Sequence, residues 1–157
     1  MIRFLLVALS LAGPAAAQTS IDLGGITADP TAPVEVTADS LSVDQASGSA
    51  TFSGNVLIAQ GDLNVTAGSV DVIYDEASGD ISRLQASGGV TLATATEAAE
   101  AQSATYDLAS GTLTLTGDVL LTQGQSALSA QEMTVDLASG RAEMTGRVRT
   151  VFRQDGN

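Results

Sequence analysis

The chain has 157 residues, 18 acidic against 6 basic, and lacks His, Cys and Trp; all six basic residues are Arg. Without imidazole, thiol or lysine amine, the common nucleophile–base pairs, Schiff-base chemistry and imidazole or thiolate metal sites have no side chains to use. A formal charge of −12 opposes binding to nucleic acid, while 44% hydrophobic and 15% charged residues describe a globular chain of one-domain length.

The N-terminus reads as a secretory signal. Met1-Ile2-Arg3 gives a positive start, residues 4–12 are apolar, and Ala15-Ala16-Ala17 supplies small residues for cleavage after Ala17. The apolar run is too short to span a bilayer. Removing residues 1–17 leaves 140 residues destined for export, with no Cys to gain from an oxidising compartment. Residues 18–33, with Gly24-Gly25 and Asp29-Pro30, read as a mobile leader; 34–153 form the domain and 154–157 a short tail.

Within the domain the sequence repeats. Asp-x-Ala-Ser-Gly occurs at 44–48, 75–79, 107–111 and 136–140, spaced by 31, 32 and 29 residues. Ten residues after the first, third and fourth Asp comes Gly-x-Val, at Gly54, Gly117 and Gly146; the second copy has Gly88-Gly89-Val90, three residues late. Gln-Gly follows at Gln60-Gly61 and Gln123-Gly124, with Thr94-Ala95 in the corresponding place of the second copy. One unit therefore reads as strand, turn, strand, turn.

The periodicity is two. Ala50, Phe52, Gly54, Val56 and Ile58 alternate with Ser and Thr, and so do Leu113, Leu115, Gly117, Val119 and Leu121. Such strands bury one face. Asp in the connecting turn accepts a backbone amide two residues on, and Gly takes the positive φ that closes a hairpin. That explains the repeated acids structurally; one Asp per unit falls short of the six or more oxygen ligands of a calcium site. Residues 93–104 favour helix by propensity, yet occupy the strand positions of the other units, and the repeat predicts strands there. An enzyme would need a carboxylate pair such as Asp71 and Asp75, but the repeat assigns Asp75 to a turn. Many inward positions are small, among them Ala50, Ala86 and Ala142, so two facing sheets would leave an apolar groove or else collapse on one another.

The order Ala38-Asp39-Ser40-Leu41, then Phe52-Ser53-Gly54-Asn55-Val56, then Gln60-Gly61 resembles the OstA-like family across residues 33–152. The resemblance implies an all-β fold, an open antiparallel β-jellyroll of about four hairpin units. It further implies a non-enzymatic periplasmic protein, without cofactor or metal, whose interior shields the lipid A acyl chains of lipopolysaccharide. Family members stack end to end, linking an inner-membrane transporter component to the outer-membrane lipopolysaccharide assembly protein. This chain departs from better-known members in being far more acidic and Lys-free. A structural repeat module of adhesin type is the alternative.

On that reading, parity alone selects the lining: Phe52, Val56, Ile58, Leu84, Val90, Leu92, Leu113, Leu115, Val119, Leu121, Met144, Val148 and Phe152. Arg141, Arg147, Arg149 and Arg153 have the opposite parity and should face outward, either protecting an edge or meeting the Glu35, Asp39 and Asp44 end of the next molecule. No Walker-type Gly-Lys-Ser/Thr sequence occurs, so energy for transport has to come from a partner.

Overall fold

The computed structural model describes residues 20–22, 26, 29 and 31–153; the predicted signal segment and the tail lie outside them. Among the described residues every regular element is a strand. In chain order these are β1 (Ser20–Asp22), β2 (Glu35–Thr37), β3 (Ser40–Asp44), β4 (Ser49–Gln60), β5 (Leu63–Tyr74), β6 (Ile81–Ser87), β7 (Val90–Ala93), β8 (Glu97–Ala101), β9 (Ser103–Asp107), β10 (Thr112–Gln123), β11 (Ser126–Asp136), β12 (Arg141–Thr145) and β13 (Arg149–Val151). All pairings are antiparallel. Residues 93–104 hold the end of β7, a turn at 94–96, all of β8 and the start of β9, the strand-turn-strand that the repeat predicted in place of helix.

The Asp turns form as their chemistry dictates. Asp44 Oδ1 accepts the Ala46 amide at 2.9 Å, Asp75 Oδ1 accepts Ala77 at 2.9 Å, and Asp136 Oδ1 accepts Ala138 at 3.0 Å. In the third copy Asp107 Oδ1 accepts Ser110 at 3.0 Å. The closing glycines, Gly48, Gly79, Gly111 and Gly140, all have φ between 63° and 76°.

The long strands serve two layers. The first half of β4 pairs with β3 and its second half with β2; β10 likewise passes from β9 to β8, and β11 from β13 to β12. The change of partner falls at the Gly-x doublets. Gly54-Asn55, Gly88-Gly89, Gly117-Asp118 and Gly146-Arg147 have positive φ at both residues, and the β4–β5 and β10–β11 registers slip there. The doublet is thus a corner that folds one strand from layer to layer, not a hairpin turn.

Each corner is closed by the neighbouring strand. The Asp39 amide donates to the Gly54 carbonyl at 2.9 Å, Gln102 to Gly117 at 3.0 Å, and Gln131 to Gly146 at 2.9 Å. A Cβ on Gly117 would stand 2.6 Å from Gln102 Oε1, and one on Gly54 2.6 Å from Asp39 Oδ2. Glycine is required by space as well as by φ.

The expected mobile leader is strand in part. Ser20–Asp22 pairs with β12, in register Ser20↔Glu143 to Asp22↔Arg141, and Ile26 is fully buried within the core. An open row of β12 backbone donors and acceptors outweighs the weak local pattern of this segment.

Candidate functional site

The inner faces of the two layers make one apolar interior. Val56, Ile58, Leu84, Val90, Leu92, Leu113, Leu115, Val119, Leu121 and Met144 are all buried in a single cluster, on the side that parity predicted. Phe52 is half-buried against it. Two members of the predicted lining stand elsewhere. Val148 is 41% exposed and Phe152 is 74% exposed. Val148 holds the position that Val56 and Val119 hold in their units, but it precedes the three-residue edge strand β13, which among the described residues pairs with β11 alone. Phe152 lies past the end of β13.

Sequence reasoning missed Val65, which is buried, and Val70, Val72, Met133 and Val135, which are as buried as any predicted residue. On β5 the inward residues are odd-numbered up to Ala67 and even-numbered from Val70; on β11 they are even up to Ala130 and odd from Met133. Crossing the corner costs these partner strands one step of alternation. The signal was present as two short alternating runs of opposite phase on either side of Gly68 and of Gln131.

Packing leaves little space. A cavity of about 30 Å³, lined by Ile58, Leu63, Val65, Leu84, Leu113 and others, separates the layers, room for about two waters. The small inward residues have therefore let the layers close together. Tyr106 also lines this cavity, and burial pushes its phenol above the ordinary value. Gln60 and Glu97 are the buried polar side chains among the described residues, and Gln123 Nε2 donates to Glu97 Oε1 at 2.6 Å.

With this geometry, residues 35–141 match the family described as "LptA/(LptD N-terminal domain) LPS transport protein". The chain belongs to this family. Among solved structures it is similar to LptH of Pseudomonas aeruginosa, described as the LptA-homologous periplasmic component of the conserved lipopolysaccharide transport device. The TM-score is 0.71 at 17% identity, over 81% of this chain and 99% of that one. An uncharacterized protein of Rhizobium meliloti (strain 1021) is 29% identical over 113 residues, 67% of this chain. The chain spans 61% of that relative's length.

As in an open jellyroll of this family, the sheet has free ends. Among the described residues, β2 and β3 at one end each pair only with β4; at the other β13 pairs only with β11, and β1 only with β12. Apolar residues are exposed at both: Leu41 at 56% and Val43 at 61% on β3, and Val148, Val151 and Phe152 around β13. Leu41 and Val43 lie opposite Phe52 and Ala50, on the inward face, so the interior is open at the β3 end.

The charged residues predicted for the interface are divided. Glu35 is exposed on edge strand β2, and Arg149 on edge strand β13. Arg141 is exposed but sits on β12, whose edge β1 covers, in register with Asp22 and Asp136. Arg147 is a corner residue with φ 48°, bordering a shallow hollow with Asp118. Asp39 is held by its corner, where Asn55 Nδ2 donates to Oδ2 at 2.9 Å. Asp44 is committed to its turn, and amides of Ala46 and Ser47 hold its carboxyl below the ordinary carboxylate value.

Proposed function

We propose that this protein is a periplasmic, non-enzymatic bridge for lipopolysaccharide. The acyl chains of lipid A lie between the two layers, shielded from water, while the sugars stay outside. Molecules join edge to edge, β13 of one adding to the β2/β3 end of the next, and the chain of copies connects an inner-membrane transporter component with the outer-membrane assembly protein. The observation that carries this reading is an apolar interior, open at the β3 end and flanked by unpaired edge strands, in a chain that matches a lipopolysaccharide-transport family over residues 35–141. Edge strands offer unpaired backbone groups and exposed apolar side chains, which strand addition would satisfy. Parting the layers exposes Val56, Leu115 and Leu121 to the entering chain, whose methylenes replace the contacts that the layers give up.

Photo-crosslinkers at Phe52 and Leu115, with Thr51 and Thr114 as outward controls, test it on purified protein incubated with lipopolysaccharide. Crosslinks from the inward pair alone support the reading. Protein that is folded yet free of lipid at all four positions overturns it and leaves a structural repeat module.

A further inference from the structure

The Gln-Gly pairs of the repeat have a place in the fold that neither turns nor corners require. Gln60 lies opposite Leu63, and Glu97 opposite Gln123, which in turn lies opposite Ser126. The Thr94 amide donates to the Glu97 carbonyl at 2.9 Å, and Asn64 pairs with Ala93, so continuing that antiparallel register places Thr94 level with Leu63. Gln60, Leu63, Thr94, Glu97 and Gln123 therefore form one rung across the layer, at its mouth, on the strands whose inward face carries Ile58 and Leu121. Positions equivalent in the repeat, Gln60, Thr94 and Gln123, all fall on it.

Two acceptors on this rung have no donor. Gln60 is 6% exposed; its Nε2 donates to the Ala32 carbonyl at 3.2 Å, and its Oε1 is buried without a partner. The amide cannot be turned round, because the Ala32 carbonyl only accepts. Glu97 is 5% exposed; its Oε1 takes the Gln123 bond, and its Oε2 is buried without a partner. Buried acceptors left open weaken a folded protein, and native proteins satisfy nearly all of them. Neighbouring strands lie about 4.8 Å apart, so the two acceptors, three strands apart, are separated by roughly 14 Å along the mouth.

We propose that this rung is an acceptor subsite selecting acyl chains that carry a hydroxyl close to their head group. It rests on the acyl-chain reading above. A chain entering methyl end first reaches the corner after about 13 Å, the length of four strand residues, so the polar rung meets atoms near the head. A hydroxyl there donates to Gln60 Oε1 or Glu97 Oε2.

The test compares binding of a dye-labelled tetradecanoyl ester and its 3-hydroxy counterpart to the full chain, to Gln60→Met and to Glu97→Gln, with melting curves to verify folding. Wild type should prefer the hydroxylated ester roughly fivefold to tenfold, the worth of one hydrogen bond. Each single variant should lower that preference, and the two substitutions combined should bring it to about twofold or less. Equal binding of both esters by wild type, or a preference that survives both substitutions, overturns the subsite and leaves the acyl-chain reading standing. Failure of wild type to bind either ester removes that reading, and this one with it.

Discussion

Gln102 Nε2 donates to Asp118 Oδ2 at 3.0 Å across the β10 corner, repeating, with donor and acceptor exchanged, the bond from Asn55 to Asp39 two repeat units away in the stack of strands. The corner is thus a unit of structure in its own right: two left-handed residues, a neighbouring backbone amide, and a side chain lying over the glycine. Its weak point is the space above that glycine.

Gly117→Ala should be among the most damaging small substitutions in the protein. Its φ is 86°, and the new Cβ would meet Oε1, Cδ and Cβ of Gln102 at 2.6 to 2.9 Å. Left-handed strain and the clash together should cost about 3 kcal/mol, seen as a fall of about 10 °C in Tm. Gly111→Ala, with φ 67° but open space around it, should lose only the strain component, about 1 to 2 kcal/mol.

Truncation should report which face is inward. Leu115→Ala, at a fully buried position, should cost about 3 kcal/mol, whereas Thr114→Ala on the opposite face should change stability by under about 1 kcal/mol. Urea unfolding of both variants measures the difference.

Acid should act through the turns. Backbone amides hold the Asp44, Asp75 and Asp107 carboxyls below the ordinary value of 3.8, led by Ala46, Ser78 and Ser110 respectively. A depressed folded-state pKa gives stability that is complete above the unfolded value and lost as pH falls toward the folded one. Tm should therefore hold steady from neutrality to about pH 5 and drop below about pH 4. The triple Asp44→Asn, Asp75→Asn, Asp107→Asn variant should start lower at neutral pH and show a shallower drop, as read from melting curves.

If copies join edge to edge, charges on the exposed apolar edge should separate them without unfolding them. Val151→Glu and Leu41→Glu are each expected to lower self-association in sedimentation equilibrium, with stability within about 0.5 kcal/mol of wild type, since both sites are largely exposed. Unchanged association in both variants would count against strand addition at these ends.

The sequence discloses what local chemistry governs. Asp-x-Ala-Ser-Gly forms hairpin turns because its hydrogen bonds span two or three residues, and Val56 or Leu121 face inward because alternation holds along β4 and β10. What stayed hidden depends on partners distant in the chain. The Gly-x-Val words are corners only because one strand serves two layers, and the phase change on β5 and β11 follows from that. The seat of Ser20–Asp22 on β12 joins residues more than a hundred positions apart, which no local pattern announces. Val148 repeats the sequence context of Val56, and its place before the short edge strand β13, not its local pattern, exposes it. The open acceptors on Gln60 and Glu97 likewise required the rung, not the repeat alone, to become visible.

The passage of β4, β5, β10 and β11 through both layers bears on how the molecule comes apart. No chain boundary separates one layer from the other, so neither can melt alone, and hydrogen exchange in the middle of the stack should report a single global opening. Loss of structure can begin only at the two free ends, where β3 and β13 each hold one neighbour, and it must then travel strand by strand along the stack. Amide protection should therefore rise from both ends toward β5 and β10, a gradient set by topology more than by any residue.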